Sequence, residues 1–409
     1  MVGVELKSRD SVDARDSLEE LAQLASTAGG DVIGDGSQKL EAHSASTYLG
    51  AGKAEEFSRI CRRERIDTVI FDDELTPAQT RNLERMFLCK VLDRTSLILD
   101  IFARRARSRE GKLQVELAQL QHLLPRLTRY WTHLSRQKGG IGMRGDGETQ
   151  LETDRRRIQQ RIDRIRLELE EVQQQRQTQR EGRRRSLWPL ASLVGYTNAG
   201  KSTLFNALTG ASALAEDKLF ATLDPTTRRL HLPTNQDVLL SDTVGFIRKL
   251  PHGLVEAFKA TLEEVVNGDL LLHVVDVSHP QAEEQIEAVN TALAEIGVAY
   301  KPVLAVFNKI DRLENGEVVN QFLERFPRSV AVSALTQVGF PALLEELACL
   351  LRPVRDFIQL NIPLAQSAVI ARLHSVAQIV ESHYEGEVAC FQAHLPPHFR
   401  HEFARFIVA

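Results

Sequence analysis

The 409-residue chain is 43% hydrophobic and 26% charged with a net charge of −4, a composition that fits a soluble globular protein of two to four domains. No apolar run approaches the ~20 residues of a membrane span, and the opening MVGVELKSRD lacks the charged-then-apolar layout of a secretory leader. Cys61, Cys89, Cys349 and Cys390 share no metal-ligand spacing, so reduced thiols in a cytoplasmic protein are expected.

Residues 1–103 predict a small α/β domain. SLEELAQLASTAG (17–29) has helical spacing, and DTVIFDDEL (67–75) is a strand candidate. TPAQTRNLERMF (76–87) follows as a helix, with Thr76 as N-cap and Pro77 in the first turn. GAGKAEEF (50–57) lacks the Ser/Thr and outer Gly of a phosphate loop and is read as a loop before a helix.

Residues 104–185 have a different rhythm. Leu113, Leu117, Leu120, Leu124, Leu127, Trp131 and Leu134 alternate steps of four and three, and Leu151, Ile158, Ile162, Ile165, Leu169 and Val172 continue the repeat. A mean repeat of 3.5 residues makes each helix bury one narrow stripe. The glycines of KGGIGMRGDGETQ (138–150) cannot sustain a helix between the two. The simplest reading is an antiparallel helical hairpin with a Gly-rich tip, kinked at Pro125; two helices packed separately on a neighbouring domain is the alternative. QQQRQTQREGRRRS (173–186) reads as a linker by its end. Residues 101–185 carry 21 Lys and Arg against 11 Asp and Glu, leaving 30 against 44 elsewhere. Such a positive segment is a candidate polyanion-binding surface, or simply a solvated helical face.

Residues 187–352 alternate apolar runs (PLASLVG, DVLLSDTVG, LLLHVVDVSH, KPVLAVFNKID, RSVAVSAL) with helical segments. That pattern predicts a mainly parallel sheet with helices on both faces. Residues 356–409 predict a small C-terminal α/β domain in the order strand (FIQLNIP), helix (AVIARLHSVAQIVESHY), strand (EVACFQAHL), helix (HFRHEFARFIV).

GYTNAGKST (195–203) follows the strand ASLV and fits G-x-x-x-x-G-K-[ST]. Gly195 and Gly200 let the backbone N–H groups of the loop, including those of Tyr196, Thr197, Asn198 and Ala199, turn toward a β-phosphate. Lys201 is positioned to bridge β- and γ-phosphate oxygens and Ser202 to ligate Mg²⁺. Asp242 ends the next apolar strand as a metal-holding carboxylate. It is followed by Thr243, Val244 and Gly245, whose N–H faces the γ-phosphate. Between them lies the Thr-rich loop KLFATLDPTTRRL (218–230). Thr222, flanked by Phe220, Ala221, Leu223 and Asp224, is assigned the second Mg²⁺ ligand, closing only with the γ-phosphate present; Thr226 and Thr227 are rivals the sequence leaves open. Lys201, Thr222 and Gly245 carry the catalytic assignment, and Ser202, Thr222 and Asp242 the metal assignment. FNKID ends another strand. Asp311 accepts from guanine N1–H and N2–H₂, a donor pair adenine lacks, which argues against ATP. Asn308 contacts the N7 edge or braces the phosphate loop, and the Lys309 stem lies along the base, with Ile310 between. Ser333, Ala334 and Leu335 follow the next strand, with the Ala334 N–H expected toward guanine O6. GTP or GDP and Mg²⁺ are therefore the expected ligands.

VLDRTSLILDIFARRARSREGKLQVELAQLQHLLPRL (91–127), GGIGMRGDGETQLETDRRR (139–157), GYTNAGKSTLFNALTG, LFATLDPTTR and LSDTVGFIRKLP together resemble the HflX family of bacterial ribosome-associated GTPases, from about residue 45 to 350. One departure stands out: Asp146 replaces the proline of the family's Gly-Pro-Gly-Glu tip. The resemblance implies a P-loop GTPase domain preceded by an α/β domain and helical hairpin that reach toward the peptidyl-transferase region. It also implies binding to the large ribosomal subunit and its RNA, and separation or rescue of ribosomes under stress. A monomer is expected. A GTPase acting on transfer RNA and a non-catalytic GTP sensor are the alternatives.

The residue after Gly245 is Phe246, where many GTPases carry a Gln that orients the attacking water. The resemblance implies that an apolar residue here is ordinary for the family. Slow hydrolysis in isolation is expected, with the ribosome supplying the missing group. Arg228 and Arg229 are alternative donors in cis, or exposed arginines without a role.

Overall fold

The computed structural model describes residues 1–6, 11–130, 146–185, 188–210, 219–249, 262–351, 356–395 and 399–408. The chain divides into two compact units: residues 1–180 with 216–224 and 247–262, and residues 181–215 with 225–246 and 263–409.

The first unit opens with β1 (Val2–Leu6), α1 (Ser11–Thr27), β2 (Gly36–Leu40), α2 (Ala51–Arg63), β3 (Thr68–Phe71), α3 (Pro77–Phe87), β4 (Lys90–Asp93) and α4 (Arg94–Arg105). The strands form a parallel sheet in the order β2-β1-β3-β4. α2 and α3 pack on it through Leu49, Phe57, Phe71, Leu83 and Phe87. Thr76 caps α3 as expected, and Gln79 completes a capping box. At the GAGK run, by contrast, α2 already begins at Ala51, with Gly50 as its N-cap.

A charged cluster lies at the end of β3. Arg94, 2% exposed, donates to Asp72 at 2.7 Å and to Glu20. Asp72 also accepts from Ser17 at 2.7 Å and from Lys249. Lys249 reaches Asp73 at 2.8 Å, and Asp73 in turn accepts from the Tyr48 hydroxyl. Burial pushes the Asp72 carboxyl up, but Arg94 and Lys249 outweigh it and hold the group below its ordinary value.

The expected hairpin arms are α5 (Arg109–Tyr130) and α6 (Asp146–Arg185). Arg161 forks onto Glu116 at 2.7 and 2.9 Å, and Arg109 reaches Glu168 at 3.8 Å. One partner number falls as the other rises, so the arms are antiparallel. Leu113, Ile162 and Ile165 are buried, and Leu117, Leu120, Leu124, Ile158, Leu169 and Val172 half-buried, which is the predicted seam. α5 continues through Pro125. Two expectations need correction. The segment 173–185 is helix, because its Gln, Arg and Glu residues are good helix formers. The Gly-rich segment yields to α6 from Asp146 onward, an acidic residue suited to a helix start; its residues 138–145, with Trp131 and Leu134, lie outside the described residues.

The second unit holds β5 (Leu190–Gly195), α7 (Lys201–Thr209), β6 (Thr226–Leu232), β7 (Gln236–Asp242), α8 (Glu263–Asn267), β8 (Leu270–Asp276), α9 (Ala282–Glu295), β9 (Val303–Asn308), α10 (Glu317–Arg325), β10 (Ser329–Ala331) and α11 (Phe340–Leu350). The sheet runs β10-β9-β8-β5-β7-β6 and is parallel except for β6 on β7. α7 and α11 pack with one apolar cluster, and α9 and α10 with another. β6 corrects the reading of 218–230 as loop throughout: Thr226 and Thr227 are ladder residues opposite Asp242 and Ser241.

The C-terminal part is a four-stranded antiparallel sheet, β12-β13-β11-β14. Its elements are β11 (Asp356–Pro363), α12 (Ser367–Val376), β12 (Gln378–Glu385), β13 (Val388–Leu395), α13 (Arg400–Phe403) and β14 (Ile407–Val408). The long helix predicted over 368–384 stops at Val376. Its second half pairs with β13 across a two-residue turn containing Gly386 at φ +61°. The last predicted helix likewise shortens to one turn before β14.

Candidate functional site

β5 ends in the phosphate-loop sequence because that loop needs conformations only glycine takes easily. Gly195 has φ +149°, and a Cβ there would overlap the Val274 carbonyl oxygen of β8. Gly200, at φ +94°, begins α7, and a Cβ there would overlap the Asn308 amide. Asn198 takes φ +60°, which asparagine tolerates better than most residues. Tyr196, Thr197 and Ala199 are buried.

Lys201 folds under this loop. Its Nζ donates to the carbonyls of Gly195 at 3.1 Å and Tyr196 at 2.7 Å. Burial lowers its pKa to about 8, with Asp242 opposing. Beneath it on β8 lies a residue the motifs do not reveal, His273, 4% exposed. Burial, and then Lys201, lower the His273 pKa to about 4, so its imidazole is neutral at physiological pH.

Asp242 ends β7 at 1% exposure and accepts from Ser202 Oγ at 2.7 Å. A buried carboxylate touching a hydroxyl at the start of α7 is a pair of hard oxygen donors, the kind Mg²⁺ prefers. Thr243 donates to the Leu193 carbonyl at 2.5 Å, and Val244 is buried. Gly245 is needed for close approach: a Cβ there would sit 2.8 Å from Thr197 Cγ2 and 2.9 Å from Lys201 Nζ. Phe246 joins the strand edge by backbone. Its N–H donates to Gly195 O at 3.0 Å and its carbonyl accepts from Thr197 N–H at 2.7 Å. With its side chain buried, Phe246 fastens the phosphate loop. Arg229 pairs with Asp237 at 3.2 Å and lies over Trp188, while Arg228 is exposed.

The base-side residues are wired to one another. Asn308, 1% exposed, donates to Ala199 O at 2.9 Å and accepts from Ala334 N–H at 2.9 Å. The bond to Ala199 braces the phosphate loop, one of the two roles expected for it. The Ala334 N–H, expected to face guanine O6, is here given to Asn308. Lys309 takes a left-handed conformation (φ +66°) and pairs with Asp276 at 2.7 Å. Asp276 was not legible as a site residue; it ends β8 beside Asn308 in register. Ile310 starts a 3₁₀ turn through Arg312. Asp311 is exposed, with one oxygen accepting from the fully buried Ser333 at 2.5 Å. Leu335 is 77% exposed.

Phe220–Asp224 belong to the first unit. Phe220 and Leu223 are buried there, Ala221 and Thr222 half-buried. Asp224 accepts from the N–H groups of Arg107 and Ser108, each at 2.8 Å.

Three family models match the chain. GTP-binding GTPase N-terminal matches residues 15–103, GTP-binding GTPase Middle Region residues 105–183, and 50S ribosome-binding GTPase residues 191–309. The chain is 46% identical to GTPase HflX of Caldanaerobacter subterraneus, over 98% of this chain and 92% of that one. It is 52% identical to GTPase HflX of Escherichia coli, over 81% and 78% respectively. Among solved structures, a GTP-binding protein from Sulfolobus solfataricus in complex with GDP is similar at 26% identity, 86% of this chain, 98% of that chain and a TM-score of 0.45.

Proposed function

The chain belongs to the HflX family of GTPases and is itself a GTPase; on that footing we propose that it binds the large ribosomal subunit and its RNA, and uses the GTP state to split or rescue ribosomes, under stress in particular. GTP is held by the phosphate loop 195–202, by 242–245, and by Asn308, Lys309, Asp311 and Ser333. Mg²⁺ would be held by Ser202 and Asp242, with Thr222 as the further ligand expected in the GTP state, and would neutralise charge that builds on the transferring phosphoryl group. Lys201 supplies a second positive charge, and Gly245 a backbone N–H. Phe246 offers the attacking water nothing, so the isolated protein hydrolyses GTP slowly and the ribosome supplies or organises the missing group.

The observation that carries this reading is the seating of 219–224, the segment containing Thr222, against α4 and α5 of the first unit. A loop that senses the γ-phosphate is thereby joined to the hairpin. α6 exposes Arg155, Arg156, Arg157, Arg164 and Arg166, which suits phosphate-backbone contacts on RNA and affinity that falls with salt. GTP closes the Thr222 segment and the segment after Asp242 over the γ-phosphate, that closed state binds the ribosome through the N-terminal domain and hairpin, and hydrolysis lowers the affinity. The work of separation comes from differential affinity for two ribosomal states. The protein acts as a monomer in the cytoplasm; among the described residues no helix is long and apolar enough to cross a membrane.

Two measurements test this. Cosedimentation with separated subunits is expected to favour the large subunit with a slow GTP analogue over GDP; equal binding refutes the cycle. Hydrolysis is expected to rise about 10³-fold or more with large subunits present; equal rates refute the supplied-group reading.

A further inference from the structure

The residues on both sides of Thr222 are fastened within the first unit. Leu219, Phe220 and Leu223 are buried. Phe220 takes φ +55° and sets its ring edge-on to Phe102 of α4, with centroids 4.6 Å apart. Asp224 closes the segment at the N-terminus of α5. Its Oδ2 accepts from Arg107 N–H and Ser108 N–H at 2.8 Å each, and its Oδ1 accepts from Ser108 Oγ. Ser108 Oγ in turn accepts from Gly111 N–H at 2.9 Å. Helix starts leave N–H groups unpaired and carry partial positive charge, so a carboxylate is well held there. A Cβ on Gly111 would collide with Asp224 Oδ1, so the contact needs glycine one turn into the helix as much as it needs the acid.

We propose that Asp224 is a positioning residue for GTP hydrolysis, fixing the end of the Thr222 segment to the hairpin arm α5 so that the placement of Thr222 follows the placement of that arm. The proposal rests on the reading of Thr222 as a metal ligand. Only Leu223 separates Thr222 from Asp224, so an anchored carboxylate removes most of the conformations Thr222 would otherwise sample. A pull on α5, such as RNA contact along the hairpin, reaches the Thr222 segment through this carboxylate. Ser108 and Gly111 are then parts of the same device, one as donor and one as the space that admits the acid.

The test is single-turnover GTP hydrolysis by the full chain at saturating protein, with GDP affinity and thermal midpoint measured beside it. Asp224→Ala is expected to lower the rate constant about tenfold while GDP affinity stays within about twofold, because the loss lies in geometry at the reacting end and not in nucleotide binding. Asp224→Asn keeps a carbonyl oxygen for the two backbone donors and is expected to recover most of the rate. Gly111→Ala pushes the carboxylate off without altering the switch segment, and is expected to reproduce the loss. Combined with Asp224→Ala it should add nothing further. A rate at or above that of the parent chain in Asp224→Ala, or full additivity with Gly111→Ala, overturns the proposal. Thr222→Ala separates the two levels of inference. If it leaves the rate untouched, the metal-ligand reading and this proposal fall together. If it lowers the rate while Asp224→Ala does not, this proposal alone falls.

Discussion

The base-side corner of the site and the segment 219–224 are built in opposite ways. In the corner, polar groups of neighbouring segments bond one another. Asn308 spans from Ala199 to Ala334, Ser333 holds Asp311, and Asp276 holds Lys309. All of these lie in the second unit; Asn308 and Asp276 end strands of one sheet, and the others sit in the segments that follow its strands. The segment 219–224 takes its anchors from α4 and the start of α5 in the first unit. If these groups recognise the base as proposed, recognition rests on groups already held by one another, which limits reorganisation on binding. The segment proposed to respond to the γ-phosphate is held by the first unit, where it can answer to something other than the nucleotide.

The sharpest way to break the pre-set corner is Asp311→Asn. The amide no longer accepts from both guanine donors, and the loss in GTP affinity is expected on the order of 10³-fold or more. A competition assay with xanthosine triphosphate checks it, since the amide can donate to the xanthine 2-oxo group; unchanged preference for GTP would falsify the assignment of Asp311. Asn308→Ala comes next. It leaves the Ala199 carbonyl and the Ala334 N–H without their partner in a buried place, a cost of about 2–4 kcal/mol in stability. Chemical denaturation reads the stability, and GDP affinity should fall with it. If Asn308→Ala spares nucleotide binding, the corner is not a brace between the two loops.

How much of this was legible follows the same division. β8 is buried along its whole length and β9 nearly so, so their apolar runs announced themselves, and the phosphate loop and Asn-Lys-x-Asp fell at their predicted strand ends. Thr76 and its capping box were readable because the signal is local. β6 was hidden: an edge strand with exposed Arg228, Arg229 and His231 shows no apolar run. β12 was hidden because most of its residues are exposed and its pairing with β13 is fixed only by the turn at Gly386. His273 and Asp276 sit in runs whose apolar neighbours masked them. Asp224 was read with the nucleotide because its partners, Arg107 and Ser108, lie more than a hundred residues away, a distance no local pattern spans.

A smaller effect sharpens the phosphate end of the corner. Lys201 has its pKa brought down to about 8 by burial, with Asp242 opposing. An anionic diphosphate favours the ammonium form and raises that value. At pH 7 the free protein already carries most of the proton, so binding takes up little. At pH 8.5 a clearly larger fraction of a proton should be taken up with GDP. Calorimetry in buffers of different ionisation enthalpy measures this, and Lys201→Arg should abolish the rise. Uptake that stays flat between the two pH values would mean that the buried amine does not meet the phosphates.

The smallest expected effect concerns the other segment held by the first unit. Lys249, at φ +53°, follows Phe246 by three residues and ties to Asp72 and Asp73. Its side chain is 34% exposed, so water screens the pair, and Lys249→Ala should cost only about 1 kcal/mol. The informative readout is acid unfolding. Asp72 is depressed below its ordinary value of 3.8, against burial, by Arg94 and Lys249. Its stabilisation is therefore present above the unfolded-state pKa and lost as pH falls through the folded one. Removing Lys249 raises the folded value, so the loss is largest near neutrality and fades as pH falls through the folded value, and the acid midpoint should move to higher pH. Arg94→Lys at the same cluster should move it further, because the buried fork onto Asp72 and Glu20 is lost. If Lys249→Ala leaves the acid midpoint in place but alters GTP hydrolysis, the tie serves the nucleotide cycle and not the fold. The two switch segments would then share one design, each fastened by a single charged side chain to the unit that carries the hairpin.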